Sequence, residues 1–253
     1  MFSSALVGFL RMAQQDGVLF ALSSMLLLLL SILPMIAQQE QVQHTSRTTI
    51  FPRIEMYLQE CETLFHTLPH SRVNELKRIA TALKAHTKQY GSASLTFICT
   101  HNSRRSHLAQ IWAKVAADYY GIGGISTYSG GTEVSAFHPN AITALRNTGF
   151  DITRGDSTSN PIYSVRYSSV VPVLQAFSKK YHDAHNPSED FFAIMTCSDA
   201  DKACPFVVGA RERFALPYDD PKIYDRTPQQ EAQYAERCKQ IATEMLYIFS
   251  LVR

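Results

Sequence analysis

The sequence predicts an α/β fold, a four-stranded parallel sheet flanked by helices. Two observations carry this. Downstream of Gly91, short strand-like runs alternate with longer segments whose apolar residues recur at helical spacing. The apolar content, 45%, is ordinary for a globular protein, so a sizeable core can form.

The elements follow in chain order. No residue from Gly17 to Gln39 is charged, and five leucines run from Leu26 to Leu30. Three readings of residues 1–37 compete: a cleaved signal peptide with Arg11 upstream and Ala37 before a polar stretch, an uncleaved membrane anchor, and a buried core helix. The first two imply an exported (periplasmic or secreted) or membrane-anchored protein, with membrane contact only through this segment. The third implies a cytoplasmic one. The polar residues 38–50 read as a linker.

Residues 51–90 read as a helical extension. Ile54, Tyr57, Leu58, Cys61, Leu64 and Phe65 share one helical face. After the break at Leu68–Ser71, Ser71 is positioned to cap a second helix carrying Val73, Leu76, Ile79, Ala80 and Leu83, which Gly91 ends.

Residues 91–253 form the expected catalytic domain. Strands are predicted at Leu95–Cys99, Ile125–Ser129, Phe191–Thr196 and Arg213–Pro217. Helices are predicted after the first strand to Tyr120, from about Pro139 to Asn147, and from Pro228 to about Ser250. The Ser-, Asn-, Tyr- and Pro-rich stretch from Gly155 to Asp190 reads as a long, partly helical insertion over the site face.

The formal net charge is +2 and no Lys/Arg block occurs, which argues against a nucleic-acid binder. The five cysteines, an odd number in a chain of 253 residues, do not make a disulfide scaffold. Cys61 and Cys238 read as small buried apolar residues. Cys99, Cys197 and Cys204 sit in motifs.

In "FICTHNSRRSHLAQ" a strand hands over to a helix, and Cys99 stands five residues before Arg105. Unpaired N–H groups at a helix start bind anions, and the same field favours a thiolate. Arg105 offers a planar fork matched to two oxygens of a tetrahedral oxyanion. Ser106 can donate its hydroxyl to the sulfur. Nucleophile, oxyanion cradle and arginine clamp together suit phosphoryl transfer. Thr100, His101, Asn102, Ser103, Arg104, Arg105 and Ser106 form the candidate binding loop, with Arg104 expected to face solvent.

This loop resembles the phosphate loop of the low-molecular-weight protein-tyrosine-phosphatase superfamily, which includes the thioredoxin-coupled arsenate reductases. The resemblance runs from about Leu95 to the C-terminus. It implies the phosphotyrosine protein phosphatase I-like fold, Cys99 as nucleophile, Arg105 as oxyanion clamp, and Asn102 holding a left-handed turn in the loop. "YSGGTE" (Tyr128–Glu133) resembles the segment after the family's second strand, and implies that Ser129 braces Asn102. "LPYDDPK" supplies the family's Asp-Pro pair, which implies Asp220 as general acid, held extended by Pro221. Asp219 is its understudy.

"MTCSDADKACPF" places Cys197 and Cys204 seven positions apart and resembles the redox segment of the arsenate reductases. The resemblance implies that Cys197 attacks at Cys99 and that Cys204 then resolves a disulfide for reduction by a dithiol protein such as thioredoxin. Against this, Gln110 stands where those reductases often carry a glutamate for a cation, and export would remove the cytosolic reductant. Tyr163, Tyr167, Tyr218 and Tyr224 are candidates to flank a phosphotyrosine ring.

The reading is a cysteine-dependent phosphatase acting on a phosphorylated protein or small phosphomonoester through a phosphocysteine, with no cofactor and no metal. The alternative is arsenate reduction through Cys99, Cys197 and Cys204.

Overall fold

The computed structural model describes residues 50–157 and 159–253. The expected leader at 1–37, and the linker up to residue 49, lie outside the described residues. Among the described residues, no helix is long and apolar enough to cross a membrane.

Helix α1 (Pro52–Thr63) starts on a proline, whose fixed φ suits the first helical position. A short 3-10 turn (Phe65–Thr67) leads to α2 (His70–Tyr90). Ser71 does not cap α2. Pro69, extended at φ −59° and ψ 142°, occupies the cap position, and its carbonyl accepts the Val73 N–H at 2.9 Å. The helix stops at Gly91, whose φ of 75° lies in the left-handed region that side chains avoid.

The sheet is built from β1 (Ala93–Cys99), β2 (Ile125–Gly131), β6 (Phe191–Met195) and β7 (Ala210–Ala215), in the order β2-β1-β6-β7 with every pairing parallel. Helix α3 (Arg105–Tyr119) connects β1 to β2, and α4 (Pro139–Thr148) follows β2. A short α5 (Ser198–Ala203) follows β6, and α6 (Gln230–Val252) closes the chain.

The residues from Gly155 to Asp190 depart from expectation. Among the described residues they contain no helix. Instead β4 (Tyr163–Arg166) and β5 (Leu174–Ala176) within the stretch join β3 (Asp151–Arg154), just before it, in a second, antiparallel sheet. In β4, buried Tyr163 and Val165 alternate with more open Ser164 and Arg166, the period-2 pattern of a half-buried strand.

Period-2 alternation also sorts the main sheet into two unequal faces. Phe192 and Ile194 of β6, with Leu95 and Phe97 of β1, join the large core, which takes buried residues from α1, α2, α3, α4 and α6. Phe191, Ala193 and Met195 join a small second cluster with Ile98, Cys99, Cys197, Ala200 and Val207. The helices at 52–90 therefore share the main core rather than standing apart. Ile54, Leu58 and Leu76 are fully buried, each worth roughly 1.5–3 kcal/mol of burial. Trp112 of α3 stacks on Tyr57 of α1 at 5.3 Å.

This topology places the site. The chain runs from β1 outward to β2, and later returns on the other side of β1 to form β6. The carboxyl ends of β1 and β6 thus flank the point where strand order reverses, where open α/β sheets form their ligand crevice.

Candidate active site

Cys99 is the last residue of β1, and Arg105 is the first residue of α3. The five residues between them make the loop, and all the candidate binding residues, Thr100 to Ser106, follow Cys99 directly. Asn102 has φ 44°, the left-handed conformation that asparagine tolerates better than most side chains.

The cysteine sulfur lies 3.1 Å from Ser106 Oγ, on the first turn of α3. Asn102 Nδ2 donates to the same hydroxyl at 2.9 Å. Ser106, supplied with a proton from Asn102, is left free to donate its own to the sulfur. Cys99, Asn102 and Ser106 are all buried.

Arg105 is fixed by two acceptors. Nη1 donates to the Tyr218 carbonyl at 2.9 Å, and Nη2 to Asp220 Oδ2 at 2.7 Å. Asp220 is extended at φ −80° and ψ 117°, as expected before proline, and its other oxygen accepts the Lys222 N–H. The fold thus joins the expected clamp to the expected proton carrier. Asp219 points away, its side chain 95% exposed and 3.6 Å from Arg237.

Three expectations need correction. Ser129 does not bond Asn102. Its hydroxyl meets His107 Nδ1 at 3.1 Å, because His107 lies one residue past Ser106 on the buried face of α3, its ring packed at a tilt against Phe137. Asn102 is held from elsewhere: its Oδ1 accepts the backbone N–H of Lys179 at 2.9 Å. Arg104 does not face solvent. Its Nε donates to Tyr234 at 2.6 Å and its Nη2 to Asp225 at 2.8 Å, a pairing made when α6 packs beside α3. Tyr163, Tyr167 and Tyr218 are all buried in the main core, which leaves Tyr224 as the half-exposed member of that set.

His101 sits on the outer side of the loop, its Nε2 3.3 Å from Glu133. The hydroxyls of Ser135 and Ser178 both donate to the His101 carbonyl, and Ser103 Oγ donates to that of Ala136. Beside the loop lies a groove of about 450 Å³, lined among others by His101, Ser103, Arg104, Phe137, His138 and Lys222.

Gly130 and Gly131 are more than a strand-end turn. A Cβ on Gly131 would fall 2.6 Å from the Thr100 carbonyl and 2.8 Å from the Asn102 nitrogen. One on Gly130 would fall 2.3 Å from the Tyr181 Cα. Bare glycine backbone lets β2 press against the loop, where the N–H groups of Thr132 and Glu133 donate to Cys99 and Thr100.

The electrostatics are set by burial. His107, fully enclosed and further disfavoured by Lys179, is pushed well below the usual histidine range and is neutral. Burial brings Lys179 down to about 8. Burial also pushes the Tyr218 phenol far up, reinforced by Glu244. At Asp225, burial works toward the neutral form, but hydrogen bonds and charge from Tyr234 and Arg104 outweigh it and hold the carboxyl below its ordinary value.

Cys197 caps α5, accepting the Ala200 N–H, and its sulfur lies 3.4 Å from Thr100 Oγ1 on the loop. Cys204 follows the C-terminal end of α5 and is half-buried. Cys99, Cys197 and Cys204 all pack around the small cluster, whereas Cys61 and Cys238 lie in the main core. All five are free thiols. Gln110 donates to the Thr127 carbonyl, and its Oε1 is buried without a hydrogen-bond partner.

Sequence reasoning missed Lys179 and the Tyr218 carbonyl. Each reaches the loop across more than 70 residues of sequence, through backbone groups that no local motif marks. The other overlooked support, His107, stood beside the motif but was not assigned.

The sequence profile described as low molecular weight phosphotyrosine protein phosphatase matches residues 94–205. Arsenate reductase 2 of Staphylococcus epidermidis is 31% identical over 129 residues, covering 51% of this chain and 78% of that protein. An arsenate reductase of Staphylococcus aureus is 30% identical over the same shares. Among solved structures, a low-molecular-weight phosphotyrosine phosphatase from Vibrio cholerae matches at 14% identity and TM-score 0.42, over 63% of this chain and 95% of that one. A thioredoxin-dependent arsenate reductase of Corynebacterium glutamicum matches at 16% identity and TM-score 0.34, over 74% and 92%. With its cysteine loop at the sheet's switch point and relatives of this closeness, the chain belongs to the low-molecular-weight phosphotyrosine protein phosphatase superfamily of enzymes, which spans phosphatases and arsenate reductases.

Proposed function

We propose that this enzyme hydrolyses phosphomonoesters through a phosphocysteine. The observation that supports it most is the Arg105–Asp220 pair at 2.7 Å, an arginine and an aspartate suited to act as oxyanion clamp and proton carrier beside the cysteine loop. The Cys99 thiolate attacks phosphorus in line, and the phosphorus–oxygen ester bond breaks. Asp220, in its acid form, protonates the departing oxygen. Water then attacks the phosphocysteine, Asp220 takes its proton, and the thiolate leaves with a hydrogen bond from Ser106. Arg105 and the loop N–H groups hold the equatorial oxygens throughout. The phosphoryl group comes from a phosphorylated protein side chain or a small ester.

The purified protein, without a reductant protein, should hydrolyse p-nitrophenyl phosphate, and Cys99→Ser should abolish turnover. Activity retained in that variant would refute the phosphocysteine.

A second reading, arsenate reduction, draws support from the Thr100–Cys197 contact and the shared packing of Cys99, Cys197 and Cys204. The Cys99 thiolate would displace water from arsenate. Cys197 would attack the Cys99 sulfur, forming a disulfide as two electrons reduce arsenic(V) to arsenic(III). Cys204 would then release Cys99, leaving a Cys197–Cys204 disulfide for a dithiol protein such as thioredoxin to reduce.

A further inference from the structure

We infer that Arg72, on the N-terminal helix α2, is a positioning residue for the catalytic site. It lies outside the segment that the family profile matches, 94–205. The inference rests on the roles given above to Arg105 and Asp220.

The linkage is short. Arg72 Nε and Nη2 donate to the two carboxylate oxygens of Glu244 on α6, at 2.9 and 2.8 Å. Gln240 adds a third donor to Glu244 at 3.1 Å. The pair is sunk in the fold, with Glu244 1% exposed. The same guanidinium lies over the Tyr218 ring, 4.7 Å from its centroid. Tyr218 is itself buried, and its backbone N–H donates to the Thr196 carbonyl beyond β6. Its own carbonyl accepts Arg105 Nη1, and Asp220 follows two residues later with Arg105 Nη2 on its carboxylate.

Each contact removes a degree of freedom. The two-point grip of Glu244 fixes the plane of the Arg72 guanidinium. A flat cation over an aromatic face fixes the ring. A fixed ring, with the Tyr218 N–H on Thr196, restrains the Tyr218 peptide, and that carbonyl is one of two acceptors setting the Arg105 fork. Residues 216–220 form no strand or helix of their own: backbone bonds from Leu216 to Met195 and from Tyr218 to Thr196 tie their start to the end of β6, and the Arg72–Tyr218 contact adds support from α2 and α6. Arginine is required for this geometry, since a lysine has charge but no planar fork.

The test compares the native protein with the R72Q/E244Q double variant, which removes both buried charges together. Folding is checked by circular dichroism. Two readouts report the site: affinity for inorganic phosphate, and the ratio of kcat for p-nitrophenyl phosphate to kcat for phenyl phosphate. Displacement of Arg105 should weaken phosphate binding by about tenfold or more. Displacement of Asp220 should raise the rate ratio by a similar factor, because the poorer leaving group needs the proton more. Arg72→Lys should fall between native and double variant. A merely structural Arg72 would lower the melting temperature and leave both readouts unchanged.

Native phosphate affinity in the folded double variant overturns the inference. Should that variant not fold, Tyr218→Leu, which keeps the Arg72–Glu244 pair and removes the ring, is held to the same criterion. Native protein that binds phosphate but cleaves neither ester refutes the hydrolase reading, and phosphate affinity still decides the role of Arg72. Native protein that binds no phosphate overturns both.

Discussion

Arg105 Nη2 and Asp220 Oδ2 lie 2.7 Å apart, so the proposed clamp and the proposed proton carrier restrain each other. The carboxylate occupies one prong of the fork that an incoming oxyanion also needs. On the proposed mechanism, binding of a tetrahedral anion loosens this contact and frees Asp220 at the step where it delivers a proton. Asp220→Asn should separate the two roles. The rate for phenyl phosphate should fall by about 10²–10⁴, the range of general acid catalysis. Affinity for inorganic phosphate should hold or improve, because a competing negative charge is gone. Parallel loss of both, measured by steady-state kinetics and calorimetric titration, would mean that Asp220 serves mainly to hold Arg105.

Cys204→Ala distinguishes the two chemistries. Arsenate turnover with thioredoxin supplied should stop, while hydrolysis of p-nitrophenyl phosphate continues near the native rate. Cys204 is half-buried at the edge of the small cluster, so the loss of its sulfur is tolerable to packing. If ester hydrolysis disappears as well, Cys204 is a structural residue.

Gly131→Ala should damage the loop. The added carbon would press on backbone atoms of Thr100 and Asn102 at 2.6 and 2.8 Å, which cannot swing aside as a side chain could. Overpacking of this kind costs about 1–3 kcal/mol. Urea unfolding should show that loss, together with a fall in phosphate affinity larger than the stability change alone explains.

His107 should make the protein acid-sensitive. Its folded-state pKa is depressed below the ordinary 6.5, so the unfolded chain binds a proton that the folded chain refuses. Stability is fully present above that value and falls as the pH drops below it, by at most about 1.4 kcal/mol per pH unit from this one residue. In His107→Gln the slope of stability on the acid side of pH 6.5 should be shallower. An unchanged slope would mean that other groups set the acid limb.

Lys179 has a dependence of the same sign at higher pH. Its pKa is about 8 in the fold and 10.5 when free. Below pH 8 both states hold the proton, and the fold bears the full cost of burying it. Between those two values the folded protein releases its proton first, so stability rises with pH. Lys179→Met should therefore be more stable than native at pH 7, by up to roughly 3 kcal/mol, and the gain should vanish above the free value. Urea midpoints at the two ends of the range check this.

The sequence by itself determined the α/β class, the strand at Leu95–Cys99, and the loop that follows it. These depend on short-range causes: alternation of side chains, helical spacing, and a cysteine five residues before an arginine. It likewise marked Asp220, because a proline after an aspartate constrains the backbone locally. Tertiary structure alone decided what braces the loop. Ser129 turned to His107, Asn102 found the Lys179 backbone, and Arg104 was drawn to Asp225, because each contact joins segments separated by more than 20 residues. It also decided that the Gly155–Asp190 stretch is partly strand and that α2 reaches the site through Arg72 and Tyr218. Local patterns follow from backbone sterics and periodicity, whereas the partner of a buried polar group is fixed only when packing decides which other polar groups are buried beside it.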